Sequence, residues 1–417
     1  MQPEIQVLTP ERAQGPRMHV CMVSYSIYDT DNRVRRYAET LAREGHRVDA
    51  VVLRAEGQSN QPEVIKGVNV FRIQKRIKNE KGKLDYLRRM SAFFLRSMVF
   101  LTREQLKNPY DLIHVHSLPD FEVFAALVPK LMGAKIILDI HDIVPEFYAS
   151  KFNTSQNSFA FKTLVAVERL SASFCDHVIA ANHIWEKRLQ SRSVKASKVT
   201  TILNFPDTGM FQRKGRTRQD GRFILLYPGS LNYHQGLDIA IRAFDSVKEL
   251  VPRADFHIYG TGEALPRLKE MVVELGLGDR VLIKGALSID KISAVIENAD
   301  LGIVPKRKDG FGNEAFSTKI LEFMSLGLPA IIPDTMVDRY YFNDSVAKFF
   351  IANDEGSLAA AMLDLITHSE IRERLVRNAS EFVKSYTWGV NQSTYLELIE
   401  GLTEKRVAAK ARAQAAR

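Results

Sequence analysis

Cysteine is scarce in this sequence, since Cys21 and Cys175 are the only two among 417 residues. Both lie inside apolar stretches, and their spacing matches no metal-binding motif. These features exclude a disulfide-stabilised secreted fold and indicate a reducing, cytoplasmic environment.

Long hydrophobic runs are lacking as well. No uninterrupted apolar stretch approaches the ~18 residues that a membrane-spanning helix requires. Residues 1–16 carry no apolar segment of the signal-peptide type, and we expect them to form a loose leader. Low-complexity tracts and short-period repeats are absent too. We therefore expect a globular, cytoplasmic protein with no helical membrane span.

The formal net charge is +9, and the positive charge is concentrated in two segments. Residues 72–107 contain eleven lysines and arginines against three acidic residues, and the tail, residues 404–417, is also basic. Within residues 84–106, arginines accompany Leu, Phe and Met, a pattern typical of an amphipathic helix on an anionic membrane surface. The alternative is that the apolar side packs on the protein and the arginines are solvated. Nucleic acid is not an expected partner, because no nucleic-acid-binding motif accompanies this charge.

The first half of the chain alternates between strand-like and helix-like segments. Residues 32–45 have the pattern of a helix, with Asp31 at its start and Gly45 at its end. Such alternation predicts a mostly parallel sheet with helices on both faces. The predicted buried strands are 19–25, 48–54, 111–117, 134–140 and 176–182.

A stretch rich in proline, glycine and charge, residues 206–222, interrupts this alternation. We therefore predict an α/β protein with two Rossmann-like domains, residues 18–205 and 223–386, joined by this linker. A helix and a basic tail, residues 387–417, would pack back on the first domain. Two such domains meet at the carboxyl ends of their strands, which places a cleft between them. The predicted strands of the second domain are 223–229, 255–260, 280–285, 301–305 and 328–333.

One segment of the second domain, GNEAFSTKILEFMSLGLPAII (residues 312–332), combines a polar helix start with two carboxylates. Ser317 and Thr318 would open a helix whose free backbone N–H groups form an anion site. Glu314 and Glu322, on either side, suit hydroxyl groups, because a carboxylate accepts hydrogen bonds and repels an anion. The segment therefore predicts a ligand with phosphate in the middle and polyols at both ends, which describes a nucleotide sugar.

This arrangement of two glutamates separated by seven residues, an apolar helix and Gly-x-Pro resembles the signature of the family 4 retaining glycosyltransferases. The resemblance extends over about residues 18–400 and implies the GT-B fold, in which two Rossmann-like domains face each other and a C-terminal helix crosses back. It implies that Glu314 contacts the donor sugar and that Glu322 binds the nucleotide ribose. The diphosphate would be held by the backbone of three residues, Phe316, Ser317 and Thr318.

The resemblance also implies a catalytic role for His141, in LDIHDIVPEF. A histidine at this strand end contacts the donor sugar close to the reacting bond in the family. The alternative is a histidine that serves only the structure. Among the glycine turns of the second domain, Gly260 and Gly262 would lie near the donor, and Leu287 would line the base pocket.

The loop after Gly229, in YPGSLNYHQGLDIAIRAF, departs from the family pattern. The family has arginine and lysine where this chain has Ser230 and Gln235, and both basic residues normally neutralise the leaving diphosphate. That charge needs stabilisation, and Lys319 is the best-placed substitute. Otherwise the phosphate is held differently, or the chain is a poor catalyst. Other basic residues that could help lie just upstream of the first glutamate: Lys306, Arg307 and Lys308.

Two further groups of polar residues leave their roles open. The helix predicted from residue 32 opens with Asn32, Arg33 and Arg36, which would either meet an acceptor phosphate or form a solvated face. His114 and His116 point to the same face of a strand. No third metal ligand stands out in register with them, so we expect them to be mainly structural.

The resemblance implies transfer of a sugar from a nucleotide sugar to a glycan or lipid-linked acceptor, in bacterial-type surface polysaccharide or glycolipid synthesis. Retention without a covalent nucleophile implies substitution on one face, where the protein positions the substrates and stabilises charge. No Asp-x-Asp motif stands in a suitable place, so we expect no obligatory metal and no cofactor besides the donor. The alternatives are another GT-B activity, such as a nucleotide-sugar epimerase, and a non-catalytic sugar-nucleotide-binding protein. The expected location is the cytoplasm, with peripheral contact to the inner face of the membrane through residues 72–107.

Overall fold

The computed structural model describes residues 17–77, 83–152, 154–206, 209 and 211–415. The expected leader lies outside the described residues, as do Lys78 and Lys81 of the basic segment and three positions of the expected linker. The structure consists of two α/β domains and a long C-terminal helix, which confirms the predicted fold class.

Eight strands form the sheet of the first domain: β1 (His19–Ile27), β2 (Arg47–Arg54), β3 (Glu63–Ile65), β4 (Val68–Lys75), β5 (Leu112–His116), β6 (Lys135–Ile140), β7 (His177–Ala180) and β8 (Val199–Thr201). Their order is β3-β4-β2-β1-β5-β6-β7-β8, and the strands pair in parallel except for β3 with β4. All five predicted strands are present. β3, β4 and β8 were not predicted, because two of them have only three residues and β4 carries charged side chains.

The helices of the first domain lie on both faces of this sheet. Alternate residues of β1 join different cores: Val20 and Met22 pack with residues of α1, and Cys21 and Val23 pack with residues of α2. The predicted Asp31 cap is confirmed, since its carboxylate accepts a hydrogen bond from the Val34 N–H at 3.2 Å. The helices are α1 (Asn32–Arg43), α2 (Lys83–Lys107), α3 (Leu127–Leu131), α4 (Val144–Phe152), α5 (Phe159–Phe174) and α6 (His183–Arg192).

Six parallel strands form the sheet of the second domain: β9 (Phe223–Pro228), β10 (Ala254–Tyr259), β11 (Val281–Lys284), β12 (Leu301–Ile303), β13 (Ala330–Pro333) and β14 (Lys348–Phe350). Their order is β11-β10-β9-β12-β13-β14, and only the three-residue β14 was not predicted. The helices are α7 (Leu237–Val247), α8 (Leu265–Glu274), α9 (Ile289–Glu297), α10 (Thr318–Leu326), α11 (Met336–Tyr341), α12 (Glu355–Thr367) and α13 (Ser369–Phe382).

The strand orders determine where a ligand can bind. In the first sheet β1 lies between β2 and β5, and in the second sheet β9 lies between β10 and β12. Consecutive connections therefore run to opposite sides of β1 and of β9. In open parallel sheets, ligands bind beyond the carboxyl ends of the strands at such a switch point.

The last helix, α14 (Trp388–Ala415), returns to the first domain, as predicted. Near its start, Trp388 Nε1 donates a hydrogen bond to Thr40 Oγ1 at 2.8 Å. Further along, the buried Tyr395 hydroxyl lies 2.8 Å from His114 Nδ1. Arg406 forms an ion pair with Asp111, with 3.1 Å between Nε and Oδ1. Part of the expected basic tail is therefore structural, because Arg406 anchors the helix.

The basic segment is divided between β4 and α2. Met90, Phe93 and Leu101 bury one side of α2 in the first domain. The opposite side exposes apolar residues (Leu87, Leu95, Val99 and Leu106) together with arginines (Arg88, Arg96 and Arg103). The helix therefore packs on the domain and also presents a basic amphipathic surface. None of the helices in the described part of the chain has the length and apolarity needed to cross a membrane.

Candidate active site

A cavity of about 360 Å³ lies between the two domains, and we call it the central cavity. His141, which follows β6, lines it from the first domain together with Asn32 and Arg33 at the start of α1. Thr318 and Glu322 line it from α10 of the second domain. The structure therefore brings together residues predicted to contact the donor sugar, the ribose and the acceptor.

A second cavity of about 350 Å³ shares His141 and Asp31 with the central cavity and extends along the first domain. Tyr25, Arg76 and Tyr86 line its outer part, and we call it the tyrosine cavity. The rings of Tyr25 and Tyr86 meet edge to face, with centroids 6.4 Å apart. Aromatic linings that carry a small number of polar groups are typical of small-molecule sites.

The start of α10 has the features expected of the predicted anion site. Ser317 is the residue before the helix, and its side chain makes no capping hydrogen bond. The first N–H groups of a helix have no intrahelical partner, and the helix dipole adds partial positive charge there. The predicted end of the helix is confirmed at Gly327, where φ is 66°. Phe316 holds the preceding turn in place by packing against Tyr341, with ring centroids 4.9 Å apart.

The loop after β9 lies directly beside α10. A Cβ added at Gly229 would stand 2.3 Å from Lys319 Cε and 2.9 Å from Lys319 Nζ. The Tyr227 hydroxyl lies 2.8 Å from the Ser230 carbonyl oxygen and 3.0 Å from Gln235 Oε1, so it fixes the loop. Lys319 therefore brings a positive charge to the loop in which the family's basic pair is missing. Burial lowers the pKa of Lys319, although Glu322 opposes that effect.

The three basic residues upstream of Glu314 differ in what they contact. Lys306 is buried, forming an ion pair with Asp338 at 2.9 Å and donating to the Ala315 carbonyl at 2.6 Å. Arg307 pairs with Asp238 at 2.5 Å. Lys308 is exposed, with its Nζ 3.8 Å from Asp334 Oδ1. All three basic residues therefore already lie beside other carboxylates, which leaves Lys319 as the best-placed of the predicted substitutes.

Glu314 is buried and forms an ion pair across the cleft. The guanidinium group of Arg188, on α6 of the first domain, donates to both carboxylate oxygens, at 2.7 Å for Oε2. The Asn182 side-chain amide donates to the Glu314 carbonyl oxygen at 3.0 Å. Each carboxylate oxygen can accept a further hydrogen bond, so a role toward the donor sugar stays a prediction. The sequence did not point to Arg188, because its contact depends on residues 126 positions apart.

The glycines predicted to lie near the donor pack against the loop after β9. A Cβ at Gly260 would stand 1.8 Å from the Gly229 carbonyl oxygen, and one at Gly262 would stand 2.4 Å from the Leu231 carbonyl group. Close approach of two backbones therefore requires glycine at both positions. Leu287 lies between β11 and α9 and is 37% exposed.

His141 belongs to a buried cluster centred on Asp139. Its Nε2 lies 3.1 Å from Asp139 Oδ2, and His116 Nδ1 lies 3.2 Å from the same oxygen. Arg33 binds both carboxylate oxygens at 2.7 Å. Burial by itself would raise the pKa of Asp139, but the Arg33 guanidinium and the hydrogen bonds hold it well below its usual range. Asp139 therefore stays ionised and orients His141 toward the central cavity.

Two models of known protein families match the chain. The Glycosyl transferase 4-like domain matches residues 30–204, and Glycosyl transferases group 1 matches residues 210–382. The chain belongs to the family 4 glycosyltransferases. It is 26% identical to mannosylfructose-phosphate synthase of Agrobacterium fabrum over 276 residues, which is 61% of this chain and 60% of the relative.

The glycosyltransferase is also similar to a GDP-mannose:cellobiosyl-diphosphopolyprenol alpha-mannosyltransferase of Xanthomonas oryzae pv. oryzae. That match is 25% identical over 282 residues, 67% of this chain and 70% of the relative. Among solved structures, sucrose-phosphate synthase from Thermosynechococcus elongatus superposes with a TM-score of 0.74 at 17% identity, covering 96% of this chain and all of that one. Anabaena HepE in complex with UDP gives a TM-score of 0.66 at 15% identity over 91% of this chain and 99% of its own. These structures establish the GT-B fold.

The prediction that His114 and His116 lack a third partner in register was wrong. Asp139 pairs with His116 across β5 and β6. Together with His114 they form a buried group whose imidazole nitrogens and carboxylate oxygen are atoms of the kind that ligate metals. Arg33 already binds both oxygens of Asp139. A metal ion there would face the guanidinium charge, so the group does not fit a cation site.

The suggestion that the start of α1 forms a solvated face was also wrong for its arginines. Arg33 and Arg36 are both buried. Arg36 donates to the Phe205 carbonyl oxygen and, at 2.7 Å, to Asn204 Oδ1, which fixes the chain as it leaves the first domain. Contact of these arginines with an acceptor phosphate stays a prediction, while Asn32 remains accessible from the central cavity.

Replacing Arg188 with methionine is expected to loosen the contact between the domains, because a buried carboxylate that loses its partner favours solvation. Small-angle X-ray scattering would show a larger radius of gyration for Arg188→Met than for the unchanged glycosyltransferase. Arg377→Met removes an arginine that is exposed on α13 and should leave the scattering unchanged. Equal scattering from all three proteins would mean that the other interdomain contacts suffice.

Proposed function

We propose that this glycosyltransferase moves a sugar from a nucleoside-diphosphate donor to a glycan or lipid-linked acceptor with retention of anomeric configuration. The observation that carries the proposal is the central cavity, which joins His141 of the first domain to Thr318 and Glu322 of the second. Its walls offer a helix N-terminus for phosphate and a carboxylate for ribose hydroxyls.

The bound donor would place its diphosphate between the start of α10 and the Gly229 loop, with Lys319 beside it. The bond from the anomeric carbon to the diphosphate breaks, and the bond to the acceptor oxygen forms on the same face. The acceptor's proton passes to the departing diphosphate oxygen. The protein holds both substrates and stabilises the departing charge. We propose no obligatory metal, since Lys319 and backbone N–H groups provide the positive charge.

The acceptor class draws support from the relatives. One relative's name specifies a diphosphopolyprenol-linked acceptor, which is a lipid-linked glycan. The exposed face of α2 supports the same assignment, because its apolar residues and arginines fit an anionic membrane surface. We therefore propose synthesis of a surface polysaccharide or glycolipid by a cytoplasmic protein that contacts the membrane peripherally.

The first test is the binding of UDP, GDP, ADP and CDP, measured by calorimetry. We expect one of the four to bind selectively, and Glu322→Ala to weaken it by ~10–100-fold, since hydrogen bonds to charged groups contribute ~1.5–3 kcal/mol. Glu370→Ala removes an exposed carboxylate from α13 of the same domain and should bind normally. Binding of none of the four would contradict the proposed donor site.

The reaction itself is tested with the sugar derivative of the nucleotide that binds. NMR of the glycoside formed would show the same anomeric configuration as the donor, and inversion would contradict retention. Consumption of the donor without acceptor, with formation of an isomeric sugar, would indicate an epimerase. Selective binding without turnover in the presence of lipid-linked acceptors would indicate a sugar-nucleotide-binding protein.

A further inference from the structure

A third cavity, of about 520 Å³, lies on the first domain between the end of β2, β4 and the first half of α2. We call it the basic groove. Its six charged lining residues are all cationic: Arg54, Arg72, Lys75, Arg88, Arg89 and Arg96. No carboxylate belongs to its lining among the described residues.

Several of these cations have acidic partners outside the groove. Arg72 pairs with Glu63 at 2.7 Å, and Arg89 pairs with Asp85 at 2.9 Å. Arg54 and Arg96 differ, because neither forms an ion pair with a carboxylate in the described part of the chain. Arg96 instead donates to the side-chain oxygen of Gln74. Among the described residues, the groove therefore keeps positive charge on Arg54 and Arg96 that no carboxylate neutralises.

Like charges that converge in one groove repel each other, and an anion bound between them offsets this repulsion. Arginine is suited to phosphate, because its planar fork donates two parallel hydrogen bonds to phosphate oxygens. A diphosphate group in the groove would contact cations from both β4 and α2. The chemistry of the lining therefore points to a phosphate or diphosphate group, not to a neutral sugar.

The basic groove and the tyrosine cavity are lined by the same two segments of the chain. Lys75 and Ile77 line the groove, and Arg76 between them lines the tyrosine cavity. On α2, Tyr86 lines the tyrosine cavity and Arg88 lines the groove. The tyrosine cavity in turn shares His141 with the central cavity, so one end of a ligand held along these two segments would face the central cavity.

We propose that the basic groove binds the phosphate or diphosphate of the acceptor, and that the sugar attached to this group occupies the tyrosine cavity. Tyr25 and Tyr86 would together form one wall of the site for that sugar, and its free hydroxyl would reach His141. The acceptor is then a sugar carried on phosphate. This assignment rests on the proposed function, whereas the anion site itself does not depend on it.

The test is calorimetry with geranyl diphosphate, a water-soluble lipid diphosphate. The double variant Arg54→Gln/Arg96→Gln is expected to bind it at least ~10-fold more weakly, since each loses charge-assisted hydrogen bonds. Neither substitution leaves a buried acid without its partner, and thermal unfolding of the variant would verify its fold. Arg103→Gln removes one exposed charge from α2 outside the groove, and it should bind as the unchanged protein does.

Two further arms separate the groove from other anion sites. Lys319→Met alters the proposed donor-diphosphate site and leaves the groove unchanged. We expect this variant to bind geranyl diphosphate as the unchanged protein does, because the groove and not the donor site holds that ligand. Vesicles containing phosphatidylglycerol report membrane charge, and we expect Arg103→Gln to weaken vesicle binding without affecting geranyl diphosphate. The proposal is overturned if the double variant binds geranyl diphosphate normally, if Arg103→Gln weakens that binding equally, or if only vesicles bind.

Discussion

Replacing Lys319 with methionine is expected to slow sugar transfer by ~10²–10³-fold, the usual effect of removing one group that stabilises departing charge. Its side chain lies against Gly229, at the loop where Ser230 and Gln235 replace the family's basic pair. Methionine keeps the length of the side chain and removes the charge. Steady-state rates with a saturating lipid-linked acceptor would measure the effect.

Lys308→Met is the matched control, because Lys308 is an exposed lysine in the same domain. We expect its transfer rate to stay within about twofold of the unchanged enzyme, as is usual for surface substitutions. An undiminished rate in Lys319→Met would mean that the diphosphate is stabilised elsewhere, and backbone N–H groups of α10 would be the remaining source.

The affinity for a nucleoside diphosphate should depend on pH through the same lysine. Burial lowers the pKa of Lys319 from its ordinary value of 10.5. The cation is fully present below the lowered pKa and is lost as the pH rises through it. Calorimetry should therefore show affinity falling at a pH below 10.5, and Lys319→Met should lack this decline.

Replacing Asp139 with asparagine is expected to lower the free energy of unfolding by ~3–5 kcal/mol, because one partner of a buried ion pair is removed. Arg33 would keep its charge in a site with almost no exposure, and His116 and His141 would lose their common acceptor. Urea denaturation would measure the change. Transfer activity should also fall, since His141 loses the contact that orients it.

Asp344→Asn provides the comparison, since Asp344 pairs with Arg339 on the surface and such pairs contribute ~0–1 kcal/mol. An equally small effect at Asp139 would mean that the buried cluster is not held by this charge. Adding Arg33→Met to Asp139→Asn should cost less than the sum of the two single changes, because the second substitution removes the unpaired charge.

The contribution of Asp139 to stability should also depend on pH. Its pKa in the folded protein lies well below the usual value. Stabilisation from this group is therefore complete above the ordinary carboxyl pKa of ~3.9 and is lost as the pH falls through the folded-state value. Denaturation of Asp139→Asn should show a smaller loss of stability over that acid range.

The amino-acid sequence by itself determined the two domains, the start of α10 at Ser317 and its end at Gly327. It also determined ten of the fourteen strands in the part of the chain that the structure describes. These features depend on local patterns, namely hydrophobic periodicity, helix caps and glycine stops. Each such pattern is encoded within a short stretch of consecutive residues. The departure from the family at Ser230 and Gln235 could likewise be read directly. The resemblance to the family was most specific in one segment, residues 312–332.

Only the tertiary structure decided which charges meet. Arg33 and Asp139 are 106 positions apart, and Arg188 and Glu314 are 126 apart. No local pattern predicts such pairs, because they form where strand ends and helices from distant parts of the chain converge. The same holds for the basic groove, whose cations come from β2, β4 and α2. In the sequence five of the six lie within the basic segment 72–107, and folding places them beside Arg54 on one concave surface.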